Sequence, residues 1–171
     1  MTDLGPVRKF LGLEITRNRK ERTLTVTQKQ KIGELLAKTQ MANCHGQWTP
    51  LPTNLELEPI TPDSPEALDT LGRQTYQSVV GSLMWIMLGT RPDLAFTVAT
   101  LSKFNATPSR QHEAAAKHVL RYLRNTSNCG ITFNGSDGPP IGFSDSDFAG
   151  DKSDRKSTSG YVFTLCGGAI S

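Results

Sequence analysis

Two carboxylates near the C-terminal end of the chain are spaced so that they could bind one metal ion. Asp145 and Asp147 follow the apolar residue Phe143, and residues two apart on a β-strand point to the same face of a sheet. Hard divalent cations such as Mg²⁺ prefer oxygen ligands, so the pair predicts the beginning of a metal site. Aspartates of this kind are also typical of turns, and a turn without a metal is the alternative.

Basic side chains form a second group that could do chemistry. Lys117, Arg121 and Arg124 are spaced by four and three residues, which places them on one flank of a helix. The inward side of that helix is expected to carry Ala115, Val119, Tyr122 and Leu123. A basic row of this kind could contact phosphates, although a solvated helix face gives the same pattern.

The distribution of charge favours a polyanionic partner without proving one. The 171-residue chain carries 19 Lys and Arg against 16 Asp and Glu, a net charge of +3. Residues 1–50 hold nine basic and four acidic side chains, and residues 91–130 hold six and two, whereas the remaining parts are net acidic. Nucleic acid suits such basic blocks, and solvated helix faces are the other explanation.

The cysteines and the apolar runs indicate a soluble protein of the cell interior. Cys44, Cys129 and Cys166 are far apart and lack Cys-x-x-Cys spacing, so they predict reduced thiols rather than zinc ligands or disulfides. The longest purely apolar run, Leu83 to Leu88, is too short to cross a bilayer. We therefore expect an intracellular protein, cytoplasmic or nuclear, with no membrane partner.

The N-terminal elements that would position these groups are a β-hairpin and a helix. Apolar, β-prone residues at 10–15 and 24–26 flank the charged run from Arg17 to Arg22, which predicts a hairpin with an exposed turn. Thr27 and Gln30 have the spacing of a capping box, so a helix is expected to begin at Thr27 and end near Met41.

The middle of the chain predicts a proline-rich segment and then three helices. Five prolines between 49 and 65 mark a linker or an extended strap. The clearest amphipathic helix spans residues 76–88, and two more helices are expected after Pro92 and Pro108. The inward residues predicted for the first of these helices are Tyr76, Val79, Val80, Leu83, Met84, Met87 and Leu88, with Trp85 and Ile86 widening the apolar face.

The C-terminal string resembles a known family. Residues 142–151 and 155–163 read Gly-Phe-Ser-Asp-Ser-Asp-Phe-Ala-Gly-Asp and Arg-Lys-Ser-Thr-Ser-Gly-Tyr-Val-Phe. They resemble the opening of the ribonuclease H domain in the Pol polyprotein of copia-type LTR retrotransposons, with Ser146 and Phe148 in place of the family's Ala and Trp. The resemblance implies that Asp145 is the first metal-binding aspartate, that 159–165 form the second strand, and that 166–168 turn towards a third.

Other motifs extend the resemblance over almost the whole chain. Tyr-x-Ser-x-Val-Gly-Ser-Leu-Met-Trp, Thr-Arg-Pro-Asp-Leu-Ala and Val-Leu-Arg-Tyr-Leu-Arg-Asn-Thr are all similar to copia-type Pol between polymerase and nuclease. Phe-Leu-Gly-Leu-Glu-Ile, at 10–15, is similar to the primer-grip hairpin that follows the polymerase palm. The resemblance implies that residues 10–15 and the partner strand help to position a primer terminus, with Phe10, Leu11 and Gly12 as contacts to nucleic acid.

The resemblance also implies a fold class and a division of the chain. The expected class is α+β, with an N-terminal hairpin and helix, a helical thumb- or connection-like middle, and C-terminal antiparallel strands of an incomplete ribonuclease H-like domain. The expected segments are the palm end and thumb-like start (1–48), a Pro-rich linker (49–72), the helical segment (73–128), a tether (129–141) and the ribonuclease H-like part (142–171).

Catalysis by this polypeptide alone is not expected. The family polymerase uses a Tyr-x-Asp-Asp turn that the sequence lacks, and ribonuclease H holds two Mg²⁺ ions with four carboxylates, of which the chain supplies Asp145 as a vestigial first. We therefore expect no tightly bound metal at Asp145 and Asp147. The expected partners are an RNA–DNA hybrid or other nucleic acid, bound weakly, and the rest of a co-expressed Pol polyprotein. The alternative is a non-enzymatic, nucleic-acid-binding or inert domesticated remnant.

Overall fold

The computed structural model describes residues 5–136, 138–150 and 155–171. The protein is mixed, with four α-helices and two antiparallel sheets in these residues, which confirms the predicted combination of helices and antiparallel strands. The chain divides into two compact units. The helical unit comprises Lys9–Glu14 and Thr27–Gly130, and the sheet unit comprises the residues up to Arg8, Ile15–Val26 and Ile131–Ser171.

The helical unit encloses the main apolar core. Its helices are α1 (Lys29–Lys38), α2 (Thr70–Thr90), α3 (Ala95–Ser102) and α4 (Arg110–Asn125), and a short 3₁₀ turn at Pro92–Leu94 precedes α3. Asp69 caps α2 through the backbone N–H of Gly72, and Ser109 caps α4 through that of His112. All four helices contribute to one buried cluster that includes Ile32, Leu83, Val98 and Val119.

The inward face of α2 differs from the predicted one. Ile86 is completely buried, whereas Met84 and Leu88 are 40% and 72% exposed, so their assignment to the core was wrong. Every residue from 83 to 88 is apolar, and therefore no polar side chain marks the outer surface in this part of the pattern. Packing of α3 and α4 against α2 selects the stripe that continues from Leu83 to Ile86 and Thr90.

The beginning of α1 also differs from the prediction. Thr27 is the last residue of strand β3 (Thr23–Thr27), and the predicted capping box does not form, because the helix starts at Lys29 without a side-chain cap from its own N-terminus. The carboxylate of Glu14 instead accepts a hydrogen bond of 3.2 Å from the backbone N–H of Gln30. A carboxylate at a helix N-terminus also interacts favourably with the helix dipole.

The proline-rich segment lies along the helices as an extended strap. Residues 41–69 contain no helix or strand apart from an isolated bridge between Ala67 and Ser109. Leu51, Leu55 and Leu57 are partly buried against the helical core. The side chain of Gln111 donates to the backbone carbonyl of Glu56 over 2.9 Å. Of the two forms that the sequence allowed, the structure therefore has the strap.

The first sheet contains β1 (Lys9–Phe10), β2 (Leu13–Asn18), β3 and β4 (Ile131–Phe133) in the order β1-β2-β3-β4. The predicted hairpin between residues 10–15 and 24–26 is present as β2 and β3. The first of its strands is interrupted, however, because Leu11 and Gly12 have φ values of +49° and +79° and form a tight turn. Two successive residues with positive φ are typical of the two-residue hairpin turn.

The second sheet contains β5 (Ile141–Ser146), β6 (Ser159–Leu165) and β7 (Gly168–Ala169) in the order β5-β6-β7. The strand predicted at 159–165 and the following turn towards a third strand are therefore confirmed. That turn has positive φ at Cys166 and Gly167, +50° and +77°. All six residues of β5 are exposed.

None of the helices in the described parts of the chain combines the length and apolar character that crossing a bilayer requires.

Candidate nucleic-acid interface

The basic row on α4 is exposed along its whole length. Lys117, Arg121 and Arg124 all lie on the solvent side of the helix, opposite the buried residues Val119 and Leu123. Helical periodicity explains this arrangement, because steps of four and three residues return to the same flank. The structure therefore brings these three predicted site residues together on one surface of the helical unit.

The three basic side chains differ in their availability. The Nζ of Lys117 lies 2.7 Å from the carboxylate of Glu113, one helical turn earlier. Arg124 donates from Nε to the backbone carbonyl of Ala42 over 3.0 Å. This hydrogen bond does not use the two terminal nitrogens of its guanidinium group. Within the described residues, no ion pair or side-chain hydrogen bond engages Arg121. Arg121 is therefore the charge of the row with the fewest contacts inside the described part of the protein.

A groove of about 490 Å³ opens beside this row, between α1, α2 and α4. Lys117 and Glu113 line one side, and Lys38 lines another, donating to the hydroxyl of Ser78 over 3.2 Å. The buried Tyr76 forms part of the floor, and its hydroxyl donates to the backbone carbonyl of Leu101 over 2.8 Å. Burial raises the pKa of Tyr76 well above its ordinary value, so this hydroxyl remains protonated.

The predicted primer-contacting residues form an exposed turn. Phe10 and Leu11 are 59% and 70% exposed, and Gly12 has the positive φ that a tight turn requires. Two apolar side chains at the tip of a turn have no stabilising role in a core. Their exposure leaves them available for contact with another molecule.

Asp145 and Asp147 have different environments. Asp145 lies on β5 opposite Gly160, and its carboxylate accepts a local hydrogen bond of 2.9 Å from the backbone N–H of Ser146. Asp147 accepts hydrogen bonds from the backbone N–H groups of Gly150 and Thr158, 3.2 and 2.8 Å long. The latter carboxylate therefore closes the β5–β6 loop, which is the role that the turn alternative predicted for it.

The described residues do not assemble a metal site of the two-ion type. They contain no group of three or more His, Cys, Asp or Glu side chains placed to hold one ion. Mg²⁺ gives up water reluctantly and needs several oxygen ligands. Asp151, the other acidic residue of the quoted motif, lies outside the described residues.

Sequence patterns did not identify a buried cluster around Arg91. This side chain is 2% exposed. Its Nε and one terminal nitrogen donate to the two carboxylate oxygens of Asp93 over 2.9 and 2.7 Å. It also donates to the backbone carbonyl and hydroxyl of Thr126 over 3.0 and 2.8 Å, and it lies 5.1 Å from the centre of the Tyr122 ring.

The electrostatics of this cluster hold both charges in place. Burial by itself lowers the pKa of Arg91, but the hydrogen bonds and charge of Asp93 outweigh it, so the net shift is upward. Burial likewise raises the pKa of Asp93, and hydrogen bonds from Arg91 and Tyr122 reverse the shift to below the ordinary value. The cluster ties the start of the 3₁₀ turn to the end of α4 and is structural. Its signal in the sequence was the Thr-Arg-Pro-Asp motif.

His112 is a second buried polar residue that the sequence left undetected. It is completely buried and its ring stacks on Phe104 with 3.9 Å between centroids. Its Nδ1 accepts a hydrogen bond of 2.8 Å from the backbone N–H of Ser109. Nε2 has no hydrogen bond of ordinary geometry among the described residues, although the Glu58 backbone lies near enough to favour protonation. Burial is the larger effect and lowers the pKa of His112.

Comparison with known proteins shows that the chain is similar to parts of much longer transposon proteins. The retrovirus-related Pol polyprotein from transposon TNT 1-94 of Nicotiana tabacum is 42% identical over 172 residues, which cover 100% of this chain and 13% of that protein. The corresponding polyprotein from transposon RE1 of Arabidopsis thaliana is 34% identical over 157 residues, or 91% of this chain and 10% of that protein. These relatives of the chain are retrovirus-related Pol polyproteins of plant transposons.

A shorter relative has a different kind of name. Secreted RxLR effector protein 161 of Plasmopara viticola is 47% identical over 97 residues, which cover 56% of this chain and 68% of that protein. Its name describes that protein and is not transferred to the Pol-related chain. No protein-family model matches the chain, and no solved structure matches it.

The match confirms the resemblance at the level of the polyprotein. The motifs quoted above pointed to copia-type Pol, and relatives from plant transposons bear this out. The chain spans only about a tenth of the two Pol polyproteins, 13% and 10% of their lengths. Which activity of a Pol polyprotein this part serves is therefore a separate question.

Proposed function

We propose that this Pol-related chain is the part of a reverse transcriptase and ribonuclease H polyprotein that runs from the primer-grip hairpin to the first ribonuclease H strands. The identity of 42% over the whole chain with a transposon Pol polyprotein carries the proposal. In this arrangement the turn at Phe10, Leu11 and Gly12 contacts a primer, and Asp145 stands at the first carboxylate position.

The part contributes nucleic-acid contacts rather than chemistry of its own. Lys117, Arg121 and Arg124 offer positive charges to phosphates along one helix face, with no motif that reads base edges. Binding to an RNA–DNA hybrid is therefore weak, independent of sequence and sensitive to salt. A domesticated remnant that acts by itself would bind in the same way, and it would differ in needing no other Pol segment.

The binding experiment uses a short labelled RNA–DNA hybrid and measures affinity at several salt concentrations. Changing Lys117, Arg121 and Arg124 together to Ala removes up to three phosphate contacts, and each contact contributes about 0.9 to the slope of log affinity against log salt. The matched control replaces Lys29, Lys31 and Arg73, three exposed basic residues on α1 and α2, with Ala. A slope that is unchanged in the α4 variant, or that falls equally in the control, contradicts the phosphate-contact role of α4.

The chemistry experiment tests catalytic incompleteness. The purified 171-residue chain, incubated with an RNA–DNA hybrid and Mg²⁺ or Mn²⁺, is expected to give no RNA cleavage, and Asp145→Asn is expected to give the same blank result. Two metal ions cannot be held by one or two carboxylates, so no hydroxide is generated and no leaving oxygen is stabilised. Metal-dependent cleavage that disappears in Asp145→Asn would overturn this part of the proposal.

A further inference from the structure

The outer side of α2 carries a line of exposed residues that runs along most of the helix. Six of them follow one another at alternate steps of three and four residues. They are Leu71, Gln74, Ser78, Gly81, Trp85 and Leu88. This alternation is the spacing of the seam along which two helices pack side by side. We call these six residues the outer seam.

The ends of the outer seam are apolar and face water. Leu71 and Leu88 are 70% and 72% exposed, and Trp85 is 50% exposed. Single apolar residues on a surface are ordinary, but large ones that line up on one helix face mark an interaction surface. No part of the chain that the structure describes covers this face.

The same helix is poor in charge. Its 21 residues include one charged side chain, Arg73, which is not part of the outer seam. The ten residues of α1, in contrast, include four exposed charges. Depletion of charge is the compositional mark of the core of a protein–protein interface. The outer seam therefore suits an uncharged, partly apolar surface and not a polyanion.

The outer seam has the same order of sizes from either end. Leu71 and Leu88 are its large ends, and the small residues Ser78 and Gly81 lie at its centre. A Cβ atom added at Gly81 would meet no other atom within 4 Å, so the surface is open there. The distance between two packed helices depends on the side chains at the contact, and small residues allow a close approach.

This symmetry makes the outer seam complementary to a second copy of itself. When two α2 helices lie antiparallel, Leu71 of each faces Leu88 of the other, and Ser78 of each faces Gly81 of the other. A surface that matches itself after a half-turn is what a two-fold dimer requires.

Gln74 and Trp85 complete the match. Within the described residues, neither side chain has a hydrogen bond. In the antiparallel arrangement, Gln74 of each copy lies opposite Trp85 of the other, so its amide oxygen can accept from the indole N–H. An indole N–H that becomes buried usually has such a partner. Two bonds of this kind form, one on each side of the axis.

We propose that the outer seam is the interface of a homodimer, in which two copies of α2 pack antiparallel about a two-fold axis between Ser78 and Gly81. The two copies of Arg73 are then about 20 Å apart along the helices, at 1.5 Å per residue, so they do not repel at close range. Lys38 donates to the hydroxyl of Ser78 from the α1 side, and its exposed ammonium group remains at the rim.

The length of the outer seam sets the strength of the pair. From Leu71 to Leu88 it measures about 26 Å, and one helix pair of this length buries less than about 1,200 Å² in total, the range of weak complexes. The dimer therefore forms as the protein concentration rises. Below its dissociation constant, it adds nothing to the free energy of unfolding.

The first test measures the molar mass of the 171-residue chain by sedimentation, without nucleic acid, from about 1 μM to about 1 mM, which spans the dissociation constants of weak complexes. The mass is expected to rise from that of one chain towards that of two. Trp85→Lys should remain monomeric with an unchanged far-UV circular dichroism spectrum. The matched control is Trp48→Lys, at a 79% exposed position of the strap in the helical unit, which should dimerise like the unmodified chain.

The second test reads the direction of the two helices. Leu71→Glu and Leu88→Lys each place a charge against a leucine at both ends of the dimer, so each variant alone should be monomeric. In an equal mixture, an antiparallel pair sets the new carboxylate opposite the new ammonium group at one end and leucine opposite leucine at the other. Dimers should therefore return on mixing, whereas a parallel pair would give no such recovery.

The outcomes are independent of the proposed nucleic-acid binding, because no nucleic acid is present. A chain that stays monomeric at every concentration overturns the proposal and leaves the outer seam to a segment of a longer polyprotein. Equal losses in Trp85→Lys and Trp48→Lys also overturn it, since association is then not specific to the outer seam. Dimers of the unmodified chain that do not return on mixing Leu71→Glu with Leu88→Lys exclude the antiparallel pairing.

Discussion

The longest helix and the last sheet of this Pol-related chain bury their apolar residues to different extents. On α2, Tyr76, Leu83 and Ile86 are each at most 2% exposed, because α1, α3 and α4 all contact this helix. On β5 and β6, the large side chains Ile141, Phe143 and Tyr161 are all more than half exposed. The described part of the sheet unit supplies no helix to cover them.

This difference indicates where the stability of the chain lies. A three-stranded sheet needs a buried face to be stable by itself, and β5, β6 and β7 have little of one. The aromatic pair Tyr161 and Phe163, with ring centroids 6.0 Å apart, gives local support along β6. We expect the helical unit to be the more stable part and the sheet of β5, β6 and β7 to be the less stable one.

The largest expected loss of stability follows removal of the buried arginine in the helical unit. Arg91→Ala empties the space of a side chain that is 2% exposed and leaves the carbonyl of Thr126 without this donor. We expect the cavity and the unsatisfied carbonyl together to cost about 3–5 kcal/mol. Urea unfolding followed by far-UV circular dichroism measures the effect. The control is Lys31→Ala, which removes an exposed ion pair with Glu34 and should change stability very little. Equal costs for the two variants would mean that the buried cluster does not stabilise the unit.

The second prediction concerns the two sides of α2. Leu83→Ala creates a cavity in the core and should cost about 2–5 kcal/mol. Leu88→Ala on the exposed side should change stability by no more than about 0.5 kcal/mol. The same unfolding measurement shows whether Leu83 or Leu88 lies on the buried side of α2. A large loss for Leu88→Ala would show that the stripe predicted from the sequence is the buried one.

The third prediction is a pH dependence confined to the helical unit. The pKa of His112 is lowered by burial, so the unfolded chain takes up a proton more readily than the folded one as the pH falls below about 6.5. Stability is therefore full above that pH and decreases as the pH drops towards the folded pKa. His112→Phe should flatten the decrease over this window, whereas the exposed His45→Gln should leave it unchanged. An unaltered profile in His112→Phe would contradict the assignment of this dependence to His112.

The sequence predicted elements better than it predicted their contacts. The hairpin, the helices after Pro92 and Pro108, and the strand at 159–165 follow from periodicity, from proline and, at the C-terminal end, from the resemblance. Polar residues such as Arg91 and His112 are predicted to lie on the surface when burial is inferred from apolar periodicity. In the structure, contacts with residues from other elements bury them. The cap of α1 comes from Glu14, far away in the chain, and no local signal contains that information.

The candidate site was predicted in part for the same reason. Helical spacing alone placed Lys117, Arg121 and Arg124 on one exposed flank. The groove beside this row was not predicted, because its walls come from α1, α2 and α4. No local pattern in the sequence shows that these three helices pack around one groove.

Amide hydrogen exchange, read by mass spectrometry on the intact 171-residue chain, tests the central comparison most directly. Peptides from α2 between 76 and 88 should exchange slowly, near the limit set by global unfolding of the helical unit. Peptides from 141–146 and 159–165 should exchange much faster, through local opening of an uncovered sheet. Protection of these two strands equal to that of α2 would contradict the account, because it would show that the exposed sheet is as stable as the helical unit.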